Sequence, residues 1–469
     1  MPRATPPMNR RRFLSASVTA AASAPLLARG ATVPTAAPGT FAEPARAVPL
    51  AGDADVIVCG AGPAGVTAAI TAARAGARVR LFEAHGALGG VWTSSLLGYL
   101  LDFDKPGFNQ ELVRKLDARD ARRIPSKSAM TYQPEEMKVL LDELCLAAGV
   151  KIQLHTHVVA AYREGRRLAT VVTESKSGRQ AWRAPVFIDT TGDGDLGALA
   201  GCEWETGETK ECPCQPLSMC ALLVVKDHAA LAPYIHREQG TDTTATKRAF
   251  RAEIIRGGVT PSYMMPTLFP IRDNLLLAMM NHEYGILAFD AVKLTAATLN
   301  ARAELHRIVH GLRKLGGPWD GIQIAATPEQ IGIRDGRRIR GRYIVNRADL
   351  VAGARHADAV VRPTFPVDIH AYDKAHAGGG YTNSGVKALP YDIPYRALVA
   401  RDVDGLLLAG RCISGDYLAH ASYRVTGNAV AMGEAAGAAA ALAASGKSLP
   451  HELRWPEIAA LRDKTRETA

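Results

Sequence analysis

Apolar positions along the chain follow two periods, and the change from one to the other marks out its elements. Asp55-Val56-Ile57-Val58-Cys59 is a short β-branched run of the kind a buried strand uses. A sharp turn through Gly60-Ala61-Gly62-Pro63-Ala64-Gly65 follows. The spacing then predicts an Ala-rich helix to about Ala75, a C-terminal stop at Gly76, and a second strand from Arg78 to Phe82 that ends on Glu83. Helices are predicted over 108–123 and 134–148. The second opens on Pro134-Glu135-Glu136, which suits a first turn, and carries Met137, Leu140, Leu141, Leu144 and Leu146 as its apolar face. Alternation then predicts strands at Lys151–Leu154 and His157–Tyr162. A hairpin-like pair, Arg166–Glu174 and Arg179–Ala184, is expected around Ser177-Gly178, and a buried strand at Pro185–Asp189.

From Cys202 to Tyr395 the pattern changes. Strand-like pieces at Met219–Val225 and Leu275–Met280, a helix over Leu294–Leu315 and basic loops alternate without a βαβ signature. An apolar strand returns at Asp404–Arg411. The final helix, about Gly427–Ala443, is built almost wholly from small residues and is interrupted by Glu434, which suits close packing better than a membrane. The expected fold is therefore α/β. A Rossmann-like dinucleotide-binding domain with a parallel sheet is assembled from two separated stretches, 53–200 and 396–446. A mixed α+β substrate-facing domain is inserted over 201–395, and 447–469 form a C-terminal tail or helix.

Composition narrows the functional classes. The chain has 469 residues, with 47% apolar and 22% charged residues, ordinary values for a globular protein of more than one domain. The net charge of +10 is unevenly spread: residues 1–47 hold six Arg and one Glu, half of the excess. The remainder is mild, and Arg334-Asp335-Gly336-Arg337-Arg338-Ile339-Arg340 lacks the aromatic platform or reading motif of a nucleic-acid binder, so no nucleic-acid partner is expected. No stable membrane span is expected either. Asn9-Arg10-Arg11-Arg12-Phe13-Leu14 resembles a bacterial twin-arginine export signal. A weakly apolar stretch to Ala28 and small-residue cleavage options, including Ala45-Arg46-Ala47, follow it. That reading makes 1–47 a signal peptide and linker, places the mature protein in the periplasm or beyond, and adds the twin-arginine machinery as a partner. Residues 32 to about 52 are expected to be unstructured.

The first turn supplies the chemistry. Gly60 permits the tight bend, Gly62 lets a pyrophosphate reach the backbone, and Gly65 lets helix and strand pack closely. Pro63 and Ala64 open a helix whose free N–H groups face the phosphates. Glu83, eighteen residues beyond Gly65, accepts from ribose hydroxyls. A second loop, Gly86-Ala87-Leu88-Gly89-Gly90-Val91-Trp92-Thr93, follows at once and is expected along the same ligand. Thr191-Gly192-Asp193-Gly194-Asp195-Leu196-Gly197 also fits the Gly spacing, but its two acids oppose a phosphate, so a ribose or ribityl hydroxyl is the better partner.

Taken together and in order, these segments resemble the FAD-dependent oxidoreductases of the glutathione-reductase-like class. The likeness is carried by DVIVCGAGPAG with Glu83, AHGALGG, FIDTTGDGDLGALAG, IGIRDGRRIRGRYIVNRADLV and LLLAGRCISGDYLAHASYRVTGNAVAMGEAAGAAAA. The resemblance implies that Gly60, Gly62, Gly65, Glu83 and the adjoining Ala84 hold the ADP half of FAD. It places Gly89, Gly90, Val91, Trp92 and Thr93 along the pyrophosphate and flavin. Val158 would meet the adenine, Thr191, Gly192 and Asp193 would close over the ADP moiety, and Gly410 and Arg411 would reach the ribityl chain. Gly427, Asn428 and Ala429 would aim a helix N-terminus at the pyrimidine edge of the flavin, where its dipole favours negative charge in the reduced ring. There is one dinucleotide cradle and hence no built-in NAD(P)H site.

His420, Tyr423 and Arg424, just before that helix, are the catalytic candidates. His370 and His376 flank Gly378-Gly379-Gly380, a candidate lid, and none of the histidines has the spacing and company of a metal site. Arg334, Arg337 and Arg338 are candidates either for a substrate anion or for bracing. Of seven cysteines, Cys202, Cys212, Cys214 and Cys220 cluster in sequence, and a disulfide within that group would suit an exported protein. No CxxxxC pair is present. The expected function is an exported FAD-dependent oxidoreductase that dehydrogenates a polar small molecule and passes electrons to an external acceptor. A reductase or monooxygenase fed by an outside reductant, and a non-catalytic dinucleotide-binding protein, are the alternatives.

Overall fold

The computed structural model describes residues 39–126, 129–209, 213–236, 243–373 and 380–466. Residues Met1–Val48 and Pro49–Ala469 separate into two units. In the first, the described residues 39–48 carry neither helix nor strand, and the twin-arginine motif lies outside the described residues.

The second unit is built on a five-stranded parallel sheet. Its strands are β1 (Val56–Cys59), β2 (Val79–Phe82), β3 (Lys151–Gln153), β4 (Val186–Asp189) and β5 (Leu406–Leu408), in the spatial order β5-β4-β1-β2-β3. β1, β4 and β5 are buried throughout, as strands covered on both faces must be. Helix α1 (Pro63–Arg74) follows β1. Two C-terminal helices, α2 (Tyr417–Tyr423) and α3 (Thr426–Gly446), follow β5. The small residues of α3 have a steric cause. A Cβ on Gly433 would strike the Ala64 carbonyl, and one on Gly437 the Ala68 carbonyl, so α3 lies directly on α1. By length and composition α3 would suffice to cross a membrane, but it is a core helix, and 78% of its apolar window is buried.

A four-stranded sheet flanks this layer. Leu50–Asp53 runs parallel to Gly178–Arg183, which continues antiparallel through Arg167–Ser175 to His157–Glu164. Leu50–Asp53 corrects the expectation of an unstructured linker. Its Gly and Asp give it no strand signal, and it forms because Pro49 and its neighbours complete an open sheet edge. The helix expected over 108–123 ends at Asp117. Arg122–Ser126 instead forms a strand beside Ala129–Tyr132 and Tyr99–Leu101.

The stretch between β4 and β5 forms its own core around an antiparallel sheet of Thr267–Arg272, Leu275–Met279, Cys220–Val224 and Gln323–Ala326. The helices Thr243–Arg256 and Ala291–Leu315 and the buried Trp319 pack on it. A smaller apolar cluster joins Leu96 to Phe269, Ile271 and Leu277 of this sheet, and Thr131 donates to the Pro270 carbonyl at 2.7 Å. The stretch around 96–132 thus shares packing with the insert. The C-terminal residues form the helix Trp455–Thr465.

Candidate functional site

The first turn has the shape that the Gly spacing predicts. Gly60 sits at φ +96°, and a Cβ there would lie 2.6 Å from the Thr190 carbonyl oxygen. A Cβ on Gly65 would collide with the Gly60 carbonyl. Gly62 is different, because a Cβ there meets no protein atom within 4 Å. Pro63 and Ala64 begin α1 and are buried. The Glu83 carboxylate is buried at the end of β2, accepting from Ala61 N at 2.7 Å and from His85 N at 2.9 Å across Ala84. It thereby fixes the turn while keeping lone pairs for a ligand.

The second loop lies against the first. Gly89 N donates to the Ala61 carbonyl at 2.8 Å, and a Cβ on Gly90 would stand 3.0 Å from Gly62 Cα. Val91 is half-buried, Trp92 fully buried, and Thr93 donates to the Leu88 carbonyl at 2.5 Å. Trp92 Nε1 donates to Thr426 Oγ1 at 3.0 Å, which ties this loop to the first residue of α3. Val158 is the second residue of the strand His157–Glu164, which follows Thr156, whose N–H reaches the Glu83 carbonyl at 2.8 Å.

Three buried polar side chains lie at this end of α3 or on the loop that contacts it. Asn428, fully buried in the first turn of α3, has neither carboxamide atom partnered, and the hydroxyls of Ser94 and Ser95 are likewise without partners. Such groups cost about 1–3 kcal/mol each unless a ligand satisfies them. A cradle open at Gly62, a helix N-terminus with Gly427, Asn428 and Ala429 in its first turn, and unmet polar groups beside it together fit a flavin dinucleotide.

Asp193 and Arg411 depart from expectation. The Arg411 guanidinium donates to the Gly192 carbonyl at 2.9 Å, to Asp193 Oδ1 at 2.5 Å and to the Ile333 carbonyl. They do not stand open to a ribityl chain but clamp each other, and so pin the loop after β4 to the loop after β5, where Gly410 packs on Ala64. Thr191 is spent on Asp189, a wholly buried carboxylate that burial pushes up to about 6 and that also accepts from Gly197 N.

Around α2 a second assembly forms. Its N-cap, Asp416, accepts from Ala419 N at 2.7 Å. One turn on, His420 Nδ1 lies 3.3 Å from Asp335 Oδ1, both side chains fully buried. Asp335 also accepts from Gln215 N at 2.6 Å and Gln215 Nε2 at 3.2 Å. Gln215 turns its Oε1 to His370 N at 3.1 Å and to Arg424 at 3.2 Å. Arg424 and His370 Nε2 then meet on Asp368, at 3.2 and 3.4 Å. One glutamine thus joins two acid–imidazole pairs. Burial is the largest influence on both imidazoles and lowers His420 and His370 to about 4, so each is neutral at pH 7. Burial raises Asp335, but the His420 imidazole beside it, the hydrogen bond from Gln215 N and the charge of Arg424 bring it down to about 2. His420 Nδ1 stands at ion-pair distance from Asp335 without an aligned hydrogen bond, and Nε2 of His420 and Nδ1 of His370 have no hydrogen-bond partner among the described residues.

Tyr423, the third catalytic candidate, is corrected. Its hydroxyl donates to the Ile413 carbonyl at 3.0 Å and its ring fills the space beside Gly415, so it packs and has no proton to offer. Arg337 and Arg338 brace, with Arg337 on Asp195 and Arg338 on the Gly415 and Gly207 carbonyls. His376, Gly378 and Gly379 of the expected lid lie outside the described residues, as does Cys212. Cys214 is disulfide-bonded, whereas Cys59, Cys145, Cys202, Cys220 and Cys412 are free thiols. Among the described residues no group of three or more His, Cys, Asp or Glu side chains is placed to hold a metal. Gln215, Asp335 and Asp368 escaped sequence reasoning. The one available signal was the acid beside Arg334 in a segment already singled out.

These features fit a flavoprotein with an acid–imidazole network next to helix α3. The chain belongs to the FAD dependent oxidoreductase family, whose model matches residues 55–464, and FAD is its cofactor. No curated protein matches its sequence. Among solved structures it is similar to a geranylgeranyl bacteriochlorophyll reductase-like protein from Thermoplasma acidophilum, at 13% identity over 88% of this chain and 82% of that one, with a TM-score of 0.44. It is also similar to the flavin-dependent halogenase CmlS, at 13% identity over 88% and 60%, TM-score 0.47. OxyS anhydrotetracycline hydroxylase from Streptomyces rimosus stands at 14% over 88% and 66%, TM-score 0.43.

Proposed function

We propose that this enzyme dehydrogenates a polar small molecule, with the His420–Asp335 pair taking the substrate proton. Gly60, Gly62, Gly65, Glu83, Gly90 and Asn428 would hold FAD, which supplies the two-electron acceptor when bound. The observation that carries the reading is the fully buried imidazole of His420, 3.3 Å from the Asp335 carboxylate, in the helix leading into α3. Alcohol oxidation needs a base to accept the hydroxyl proton as the carbon loses its hydride, and a cation to hold the oxygen. His420 Nε2 offers the lone pair, Asp335 fixes the tautomer and stabilises the imidazolium, and Arg424 is the nearby cation. Electrons then leave to an external acceptor.

The test is anaerobic mixing of the flavin-loaded protein with hydroxylated compounds. Bleaching of the visible flavin band without NAD(P)H supports the proposal; bleaching by NAD(P)H alone would replace it with a reductase or monooxygenase. Asp335→Asn is expected to slow flavin reduction by about 10²-fold or more while leaving flavin occupancy unchanged. The acid limb of kcat/KM is expected near pH 4 rather than 6.5, since the working base is the form that persists above a lowered pKa. The same depression predicts that stability rises with pH between about 4 and 6.5, where unfolded histidines bind protons that folded His420 and His370 do not.

We also propose that the protein is exported by the twin-arginine route. The Arg10-Arg11 motif supports this, and so does the disulfide at Cys214, a bond suited to an oxidising compartment. Replacing Arg10 and Arg11 by Lys together should leave the protein in the cytoplasm; recovery from the periplasm at the normal level would refute the assignment.

A further inference from the structure

Arg334 is not used by the network just described. It lies in the basic segment Ile331–Arg340, where the other arginines are committed to Asp195, to backbone carbonyls and to Glu205. Arg334 differs. Its NH1 alone is engaged, by the Pro216 carbonyl at 2.7 Å and Ser218 Oγ at 2.8 Å. Its Nε and NH2 have no partner, and it makes no ion pair, among the described residues. The surroundings withdraw water from it: burial first, then the charge of Arg424, brings its pKa down to about 10. Arg334 is half-buried, and the opposing carboxylate that acts on it, Asp368, is bonded to Arg424 rather than to it.

Its neighbours complete a recognisable chemistry. The charge of Arg334 acts on His282, His370 and Tyr263, and the three rings form one cluster, with centroids 4.1 Å apart for Tyr263–His282 and 5.0 Å for His282–His370. Tyr284 gives its proton to the Ser262 carbonyl at 2.9 Å, so the 3.3 Å contact between its oxygen and His282 Nδ1 requires the proton on Nδ1. That leaves His282 Nε2 as a bare, buried lone pair, and Nδ1 of His370 is another. The Tyr263 hydroxyl has no hydrogen-bond partner among the described residues. Asp368 is already shared by Arg424 and His370. Arg334 reaches this neighbourhood through Ser218, whose neighbour Leu217 pairs with Glu283 beside His282, so two unused guanidinium donors and a phenol donor share it with two acceptor nitrogens. The donors suit a carboxylate, which a guanidinium binds through two parallel N–H bonds. The acceptors suit a hydroxyl, which brings its own proton.

We propose that Arg334 and Tyr263 bind the carboxylate of the substrate while His282 and His370 accept from its neighbouring hydroxyl, so that the substrate class is a hydroxy acid, including sugar acids. This rests on the dehydrogenase reading for the word substrate, but the anion site itself does not. Arg334, Tyr263 and His282 come from the insert, which makes the insert the part that chooses the molecule.

The test is equilibrium binding to the oxidised, flavin-loaded protein, read by calorimetry and by perturbation of the flavin spectrum. The probes are lactate, glycerate, tartrate and gluconate, each against its amide. The acids are expected to bind at least tenfold more tightly than the amides. Arg334→Met should erase that preference and Arg334→Lys should keep part of it. Equal binding of acid and amide to the unaltered protein overturns the proposal without any variant, as does failure of every acid to bind at millimolar concentration. If the acids bind through Arg334 yet none bleaches the flavin anaerobically, the anion site stands and the dehydrogenase reading falls. If neutral polyols bleach it equally well in Arg334→Met, the dehydrogenase stands and this subsite falls.

Discussion

Gly62→Val is expected to yield a folded protein without flavin, and Gly65→Ala a protein that does not reach the native fold. The two glycines are three residues apart in one motif, yet the structure gives them opposite roles. Gly62 caps α1 with φ −67° and ψ −174°, an extended conformation that any residue adopts, and a side chain there meets no protein atom within 4 Å. Valine is therefore accepted by the chain, but it occupies the space through which a pyrophosphate must approach the N–H groups of the helix. Gly65 has no such room, because even one methyl group would overlap the Gly60 carbonyl and press on Thr190 Oγ1 at 2.7 Å. Relief would require α1 to move off β1, and with it α3. Flavin absorbance per protein, measured beside the thermal unfolding midpoint, separates the two. Gly62→Val should lose essentially all flavin, with a midpoint matching that of the flavin-free wild type. Full flavin occupancy in Gly62→Val would remove this turn from the cofactor site. A native-like midpoint for Gly65→Ala would show that the strand and helix can part enough to admit a methyl group beside the Gly60 carbonyl.

The contrast shows what the sequence could and could not convey. Strands β1, β2 and β4 and helix α1 were legible because each is specified within a dozen residues, by a β-branched run, a glycine turn or a capped helix. The network around His420 was not. Gln215 lies 120 residues from Asp335 and 209 from Arg424, and nothing local in Cys214-Gln215-Pro216 announces that its amide will join them. Tyr423 shows the reverse error. It stands beside the cofactor helix in sequence, but its position in α2 delivers its hydroxyl to Ile413. Asp193 and Arg411 were each expected to meet the ligand. Their mutual pairing across 218 residues is what local pattern cannot show. Fold is thus recorded in short-range pattern, whereas the candidate catalytic set depends on which loops the parallel sheet brings to one end.

Arg466→Ala is expected to destabilise the protein by about 3–5 kcal/mol, although it lies far along the chain from every cofactor residue. Glu434 sits in the middle of α3 with its side chain 2% exposed, surrounded by the alanines and glycines that pack on α1. Its carboxylate accepts from Phe108 N at 3.1 Å, and Arg466 grips both oxygens, through Nε and NH2, at 2.9 Å each. Arg466 follows directly on the helix Trp455–Thr465, and Arg74 of α1 reaches the Thr465 carbonyl at 3.4 Å while pairing with Glu111 at 2.7 Å. The C-terminus is thereby a strap over both helices of the cofactor layer. Removing the guanidinium leaves a buried carboxylate with one backbone N–H as its remaining hydrogen-bond donor. The penalty is that of an uncompensated charge, larger than the net worth of the pair. Glu434→Gln in the Arg466→Ala background should therefore recover part of the loss, because a neutral amide needs no counter-ion and can still accept from Phe108 N. Chemical denaturation of the four forms in a double-mutant cycle measures this. A loss below about 0.5 kcal/mol in Arg466→Ala, the size of an ordinary surface change, would mean that water reaches Glu434 and that the strap is ornamental. Because α3 presents Asn428 at its other end, loosening the strap should also weaken flavin retention in proportion to the stability lost, without any substitution in the cofactor site.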